Sequence, residues 1–408
     1  MTTTINNEHK KLNVPNLRFP EFQGEWEKCK LGTLTTKVGS GSTPKGGNAV
    51  YTSAGHCFVR SQNVGMGYLI LDEIAHINDV IHQKHKATEL KEDDVLLNIT
   101  GASIGRTAIA TKEIEGGNVN QHVCIIRANS KVNPKFLCNY IQTKKIQNYI
   151  QSLQTGGSRE GLNFEQIRSF PISLPNIAEQ NKITQLLDKL NERIATQNKI
   201  IEDLKKLKSA IIEKHYCKVE KQIACVGDLG EPFSVGNLAK DDLTETGIPC
   251  VIYGELFTTY GETISQIESH TYKTEGIILS KKGDLLFPSS TTVDAMSLIA
   301  PSVINMDGVI LGGDMFGIHI SPNFNAQYLS YYFNHIAKRQ LAKFAKGSTI
   351  IHLHYADIEK AKLLLPSLEE QNRMAKCLVT LDDKIKKERT FLDLLNSQKA
   401  YLLCHMFI

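Results

Sequence analysis

The sequence contains no long apolar run. None of its 408 residues falls in a stretch approaching the roughly 18 consecutive apolar residues of a membrane-spanning helix, and the first twenty residues contain no apolar core of signal-peptide length. The nine cysteines include no Cys-x-x-Cys pair, which is typical of reduced thiols rather than of a disulfide framework. These absences predict a cytoplasmic protein.

Two motifs of nucleic-acid-modifying enzymes are also missing. A phosphate-binding loop of the form G-x-x-x-x-G-K-[ST] is absent, because Gly105 is followed by Arg106. The Asn-Pro-Pro-aromatic or Asp-Pro-Pro-aromatic tetrapeptide of amino-methyltransferases is absent too, since Asn133 and Pro134 are followed by Lys135. We therefore expect no catalytic residue in this chain, and we expect the Gly101–Gly105 segment to be a DNA-facing turn.

Histidine pairs are present, but without the spacing of a metal site. His82 and His85, and likewise His352 and His354, have no cysteine or carboxylate cluster at zinc-ligand spacing. We expect the first pair on a solvated helix, and the second pair either in a nucleic-acid contact or in an ordinary loop. The sequence predicts no bound metal.

Length and composition indicate a folded protein with several domains. The length favours two or three domains, and 41% hydrophobic with 22% charged residues exclude collagen-like and wholly disordered chains. Forty-seven Lys and Arg against 43 Asp and Glu leave a net charge of +4. That mild basic excess permits a polyanionic partner without requiring one.

An internal repeat divides the chain into two halves. The segment Leu174–Lys182 (LPNIAEQNK) returns as Leu365–Arg373 (LPSLEEQNR), an offset of 191 residues. A helical pattern with apolar residues alternately three and four apart follows each copy, which predicts two long helices packed as an antiparallel coiled coil. The predicted interface consists of Ile183, Leu187, Leu190, Ile194, Ile201, Leu204, Met374, Leu378, Leu381, Ile385, Leu392 and Leu395.

Matching polar residues interrupt the stripe of apolar interface residues on each helix, here called the seam. Gln197 corresponds to Glu388, and Lys208 corresponds to Lys399, so two unrelated core helices are a poor alternative. Each helix of roughly 38 residues would span on the order of 57 Å and act as a spacer. Apolar positions outside the seam suggest that the helices need a partner; they are Leu186, Ile200, Leu207 and Ile212.

Each half also contains a globular domain with a related framework. Strand-like runs at 95–100, 119–127, 248–253 and 309–320 predict a strand-rich, mixed α/β fold. The loops differ between the halves: 100–105 (TGASIG) faces 289–294 (SSTTVD). We therefore predict recognition domains at 1–173 and 218–364, and spacer helices at 174–217 and 365–408.

Two unlike domains at opposite ends of a helical spacer suit duplex DNA. Domains roughly 35 Å apart would meet major grooves about one helical turn apart and recognise an asymmetric, split site. Polar and basic loop side chains are the groups that contact bases and phosphates, although any solvated loop is rich in them. The candidate DNA contacts are Arg60, Gln62, Asn63, Ser103, Arg106 and Arg159 in the first domain, and Tyr253, Ser290, Thr291, Lys346, Ser348 and His352 in the second.

The chain resembles the specificity subunit of type I restriction-modification enzymes. The resemblance rests on the opening Pro15–Phe22 (PNLRFPEF) with Trp26 and Leu31-Gly32, and on the two Leu-Pro-x3-Glu-Gln segments, and it covers essentially the whole chain. It implies a non-catalytic subunit that recognises a bipartite DNA site and docks two modification subunits on its helices. The partners would supply S-adenosylmethionine and adenine N6 methylation, and restriction subunits would add ATP- and Mg²⁺-dependent translocation and cleavage.

Two other functions compete with this interpretation. One is a coiled-coil scaffold that binds two proteins and no nucleic acid, which the unequal loops disfavour. The other is an autonomous nuclease or methyltransferase, for which Asp79 with Glu89 and Lys91 is only a faint signal, because such triplets are common in charged turns.

Overall fold

The computed structural model describes residues 13–154 and 161–408, which form two compact units. The first unit comprises the chain up to Gln197 together with Phe391–Ile408, and the second comprises Asn198–Thr390. No helix in the described residues is long and apolar enough to cross a membrane. All nine cysteines lie within the described residues and are free thiols.

The described residues of the first unit form nine strands and the first five helices. The strands are β1 (Glu27–Lys30), β2 (Thr35–Ser40), β3 (His56–Val59), β4 (Ala75–Ile77), β5 (Val95–Asn98), β6 (Thr107–Ile109), β7 (Asn118–Val119), β8 (Val123–Ala128) and β9 (Pro171–Leu174). The helices are α1 (Asp79–Lys84), α2 (Pro134–Gln142), α3 (Lys144–Ser152), α4 (Phe164–Arg168) and α5 (Ile177–Lys218), of which the last continues into the second unit.

A four-stranded antiparallel sheet, β2-β8-β5-β6, forms the centre of the first unit. Side chains alternate across β5: Val95 and Leu97 belong to the hydrophobic cluster that includes α2, whereas Leu96 packs in a second cluster with Val59 of β3. A three-stranded sheet, β4-β3-β7, and the pair β1-β9 complete the unit. Because both faces of β5 are covered, its sequence is a continuous apolar run rather than an alternating one.

The second unit contains fourteen strands and the remaining helices. The strands are β10 (Gln222–Cys225), β11 (Gly230–Ser234), β12 (Leu243–Thr244), β13 (Ile248–Ile252), β14 (Thr263–Ile264), β15 (Ser269–Thr271), β16 (Ile278–Leu279), β17 (Leu285–Pro288), β18 (Ser290–Thr291), β19 (Ser302–Ile304), β20 (Ile310–Gly312), β21 (Met315–Ile320), β22 (Ile351–His352) and β23 (Lys362–Leu365). The helices are α6 (Glu255–Thr258), α7 (Ala326–Tyr332), α8 (Lys338–Leu341), α9 (Tyr355–Ile358) and α10 (Leu368–His405).

The sheets of the second unit repeat those of the first. The order β11-β21-β17-β19 corresponds to β2-β8-β5-β6, and β10-β23 corresponds to β1-β9. In the smaller sheet, β15-β13-β20 corresponds to β4-β3-β7. The predicted mixed α/β fold with an internal repeat is thus confirmed.

Two runs predicted as single strands are interrupted. The run 309–320 forms β20 and β21, separated by Gly313 at φ +89°, a left-handed conformation that favours glycine. The run 119–127 likewise divides into β7 and β8 at a turn, where Asn120 Oδ1 accepts a hydrogen bond from the His122 N–H (3.1 Å). Apolar runs alone do not reveal such breaks.

The two long helices are antiparallel partners. In the first unit, Leu187 of α5 shares a hydrophobic cluster with Leu395 and Leu402 of α10. In the second unit, Ile212 near the end of α5 shares a cluster with Met374 near the start of α10. The first part of each helix thus meets the last part of the other. All twelve predicted interface residues are buried or half-buried.

The apolar positions outside the seam differ from one another. Leu186, Ile200 and Leu207 are exposed to 37, 39 and 49%, respectively, so each leaves apolar surface that the described residues do not cover. Ile212, expected to be equally exposed, is only 5% exposed, because it packs into the core of the second unit.

The repeated Glu-Gln motif has a structural role in both copies. Gln180 Oε1 accepts a hydrogen bond from the Asn133 N–H (2.8 Å), and Gln180 Nε2 donates to Pro175 O (2.8 Å). Gln371 makes the same two bonds to Asn325 and Pro366, both at 2.9 Å. Each buried glutamine therefore joins the start of a long helix to the cap of the domain helix α2 or α7.

The N-terminal segment that carries the resemblance is held against α5. Arg18 forms two hydrogen bonds to Glu179, at 2.7 and 2.8 Å, and Trp26 Nε1 donates to the same carboxylate at 3.3 Å. Glu179 is fully buried, and its bidentate hydrogen bonds with Arg18 compensate for the desolvation of the carboxylate.

Candidate nucleic-acid interface

A two-stranded ribbon in the second unit brings several predicted residues together. β18 and β22 pair in antiparallel register, with Ser290 opposite His352 and Thr291 opposite Ile351. The backbones of Lys346 and His352 exchange hydrogen bonds of 2.9 and 2.7 Å. Ser348 is exposed in the turn between them. Four of the six predicted residues of this unit therefore lie on the ribbon or its bridge, and Ser348 lies in the connecting turn.

The ribbon side chains differ in their availability to a ligand. Ser290 is 7% exposed, and Thr291 Oγ1 lies 3.2 Å from Ser297 Oγ. Lys346 is 76% exposed and lies 2.5 Å from Asp357 Oδ1, and its hydrogen bond holds the pKa of that carboxyl below its usual value. The His352 ring is half-buried. Lys346, His352 and Ser348 therefore present the accessible polar groups.

Tyr253 lies near the base of this ribbon. Its ring is close to Gly313, where an added Cβ would lie only 2.9 Å from Tyr253 Cδ1. The next residue, Asp314, accepts a hydrogen bond from the Ser289 N–H at 2.8 Å, directly before β18. The half-buried Tyr253 therefore borders the ribbon rather than lying on it.

The first unit has a bridge and a turn at the corresponding place. Thr100 pairs with Gly161, as Ser290 pairs with His352 in the second unit. A 3-10 turn at Gly101–Ser103 follows, and Gly101 has φ +70°. Gly101 is exposed in this turn, and its DNA-facing role stays a prediction.

Two of the predicted residues, Ser103 and Arg106, lie in or beside this turn. Ser103 is half-buried, and its carbonyl accepts a hydrogen bond from the Arg106 N–H at 3.1 Å. The Arg106 side chain is exposed. Thr100 Oγ1 lies 2.5 Å from His122 Nδ1.

A second turn, at residues 61–63, is attached to β5. The side chain of Asn98 donates to Ser61 O at 2.8 Å. Arg60 lies with its guanidinium carbon 5.5 Å from the Tyr51 ring centroid, and its buried Nε has no hydrogen-bond partner in the part of the chain that the structure describes. Gln62 is exposed.

Asn63 is engaged within the protein. It is 2% exposed, its Oδ1 accepts from the Arg60 N–H at 3.0 Å, and its Nδ2 donates to Ile70 O at 2.9 Å. This geometry indicates a turn-stabilising residue. Arg159 lies outside the described residues, and its prediction stays open.

An amide-lined groove beside the first turn was not anticipated. It has a volume of about 320 Å³ and lies between Gly101–Ala102 and the face of α3 that carries Gln147, Asn148 and Gln151. Gln147 Nε2 donates to Gly105 O at 3.0 Å and so attaches α3 to the turn. The only signal in the sequence is the helical spacing of these amides.

In the histidine pair of the first unit, His82 is not solvated as expected. His82 is 2% exposed, its Nδ1 lies 2.8 Å from Asn118 Oδ1, and its ring stacks on His56 with centroids 3.7 Å apart. The solvated-helix prediction for His82 is therefore wrong, because α1 packs this residue against the sheet containing β7. Within residues 13–154 and 161–408, no group of three or more His, Cys, Asp or Glu could hold a metal ion.

Two copies of one α/β framework, with different polar and basic side chains at equivalent surface turns, define a protein with two related recognition domains. The chain belongs to the type I restriction modification DNA specificity domain family, whose model matches residues 23–206 and 218–396. Its role is therefore DNA sequence specificity within a type I restriction-modification system, and its family is that of the specificity subunits rather than the catalytic ones.

Individual relatives agree with this family. The chain is 19% identical over 395 residues to the assigned type I restriction enzyme MjaX specificity subunit of Methanocaldococcus jannaschii, covering 93% of this chain and 92% of that one. It is 28% identical to an assigned type I specificity subunit of Haemophilus influenzae, covering 69 and 73%. The crystal structure of the type I S subunit from M. genitalium shares the fold, with a TM-score of 0.61 at 15% identity over 97 and 99% of the two chains.

Proposed function

We propose that each recognition domain reads one half of an asymmetric, split DNA site. The observation that carries this proposal is the equivalence of the Ser290–His352 and Thr100–Gly161 pairs, which place different side chains on the same framework. Equivalent placement gives both domains the same approach to a duplex, and unequal side chains give them different base preferences. In this proposal the two helices set the gap between the half-sites.

We also propose that the helices dock two modification subunits. The exposed Leu186, Ile200 and Leu207 of α5 and the exposed Leu394 and Tyr401 of α10 offer apolar surface for such contacts. Those subunits would carry S-adenosylmethionine and methylate adenine N6, and restriction subunits would use ATP and Mg²⁺. Flipping an adenine costs a few kcal/mol, so a separate reader that holds the duplex in register favours the reaction. We place the assembly in the cytoplasm.

Single-molecule methylome sequencing tests the proposal. The chain is expressed with its cognate modification subunit in a host free of DNA methylation. The expected result is one split motif with methylated adenine. A stable complex that leaves the genome unmethylated, and that is not retained on DNA, would contradict the proposal and favour a protein scaffold.

A further inference from the structure

Two aliphatic side chains lie exposed at the open end of the β18–β22 ribbon. Val293 is 75% exposed and Ile350 is 51% exposed. They follow and precede the last paired residues, Thr291 and Ile351. Both therefore belong to the surface that carries Lys346, Ser348 and His352.

The turn that carries Val293 is held by hydrogen bonds. The Val293 N–H donates to Thr291 Oγ1 at 3.2 Å, and the Ser297 N–H donates to Asp294 Oδ1 at 2.8 Å. Leu298, directly after the turn, is fully buried. Because the backbone is anchored on both sides, Val293 stays exposed without moving into the core.

The surroundings of these two side chains suit DNA better than a protein partner. Thr292, Ser348 and Thr349 beside them are exposed polar residues, and Lys346 is basic. A stable protein interface buries roughly 800 Å² on each partner, far more than two aliphatic side chains provide. A two-stranded ribbon fits the major groove, where the thymine methyl group is the apolar feature of the base edges.

We propose that Val293 and Ile350 determine specificity by contacting thymine methyl groups in the half-site of the second domain. The proposal rests on the DNA-reading function proposed above. In the first domain, Gly101, Ala102 and Ser103 occupy the corresponding turn, and Ile104, which the loop pairing places opposite Val293, is half-buried against the hydrophobic cluster of that unit. The proposal therefore assigns thymine reading of this kind to the half-site of the second domain.

The test uses the chain in complex with its modification subunit and a 30-base-pair duplex that carries the methylated motif. Each thymine of both half-sites is replaced in turn by deoxyuridine, which removes only the methyl group. Binding is measured for the unmodified chain, for V293A, for I350A and for V80A. Val80, 65% exposed on α1 of the first unit, is the matched control.

For the unmodified chain and for V80A, uracil at one or two positions of a single half-site weakens binding about fourfold, the factor that corresponds to about 0.8 kcal/mol for a methyl contact. V293A or I350A binds the thymine duplex about fourfold more weakly and shows no further loss with uracil at the position that its removed side chain contacts. Unchanged unfolding midpoints show that the variants fold.

Equal binding of uracil and thymine duplexes at every position overturns the proposal. A uracil effect that persists undiminished in both V293A and I350A overturns it as well. If the variants weaken binding while uracil has no effect, the side chains act as wedges between base pairs, and thymine reading is wrong. Failure of the DNA-reading function itself would already be seen in the methylome sequencing described above, because no split motif would then exist from which to design the duplex.

Discussion

Lys208 lies in the second unit with its ammonium nitrogen 2.7 Å from Asp382 Oδ1. The same nitrogen lies 2.9 Å from Glu262 Oε1 and 4.8 Å from the centroid of the Tyr331 ring. The repeat places Lys399 at the matching position of α10, but its nitrogen lies beside Gly67, and burial lowers its pKa. Lys208 is therefore ion-paired, whereas its counterpart Lys399 forms no ion pair with the residues that the structure describes.

The first prediction is that Lys208→Met destabilises the second unit, whereas Lys399→Met does not destabilise the first. Removing Lys208 leaves the Asp382 and Glu262 carboxylates without the ammonium that they share, a loss of about 2 to 3 kcal/mol after discounting for their partial exposure. Removing Lys399 eliminates a half-buried ammonium. Urea unfolding of both variants measures the difference, and equal destabilisation would show that the two lysines are equivalent.

The second prediction concerns the stability of the second unit at acidic pH. Burial alone would raise the pKa of Glu262, but hydrogen bonding to His335 and the charge of Lys208 outweigh it and lower the pKa to about 2. Because the folded-state pKa lies below the unfolded value near 4.5, the carboxylate stabilises the fold above pH 4.5, and this contribution is lost as the pH falls towards 2.

Glu262→Gln should remove this contribution, which is at most about 3 kcal/mol at neutral pH. Unfolding measured from pH 6 to pH 2 should then show a shallower loss of stability than in the unmodified chain. Glu268→Gln, at an exposed residue of the same unit, is the control. A pH dependence that does not change in Glu262→Gln would refute the assignment.

The third prediction concerns the repeated glutamines. Gln180→Ala and Gln371→Ala each leave a partly buried backbone N–H and a buried proline carbonyl without their glutamine partner, which costs about 2 kcal/mol. Each variant should open its own unit more readily, as measured by amide hydrogen exchange. Loss of protection spread equally over both units would contradict this local role.

The long helices could be predicted from sequence because their pattern is local. Apolar residues every 3.5 positions encode the seam directly, and Leu187 and Met374 lie where that pattern places them. Ile212 departs from it because the adjacent domain, rather than the partner helix alone, covers this end of α5.

The surface that carries the candidate DNA contacts could be predicted only partly from the sequence. Ser290 and His352 are distant in sequence, and their pairing depends on the sheet that supports them rather than on any local pattern. The sequence predicts a DNA contact at Asn63 because it is a polar loop residue. Polarity does not distinguish a side chain that bonds its own turn from one that faces solvent. For the same reason, the sequence does not reveal that the polar His82 is buried.

The fourth prediction is that Arg106→Ala weakens recognition of one half-site only. Its exposed guanidinium lies beside the Gly101–Ser103 turn of the first domain, where it is available to a phosphate or a guanine edge. Ser348→Ala, in the second domain, is the reciprocal variant. Methylome sequencing, and binding to duplexes in which either half-site is altered, show which half-site each variant affects. Equal loss of recognition at both half-sites would indicate misfolding instead.

The fifth prediction is that inserting one helical turn of four residues after Ile201 changes the gap between the half-sites while both half-sequences persist. The insertion lengthens α5 by about 6 Å, which corresponds to roughly two base pairs of duplex. It leaves every residue of the Thr100–Gly161 and Ser290–His352 pairs unchanged. An equal insertion after Thr246, in the exposed turn between β12 and β13, is the control and should leave the gap unaltered. Methylome sequencing gives both the half-sequences and the gap, and altered half-sequences with an unaltered gap would show that the helix does not set the spacing.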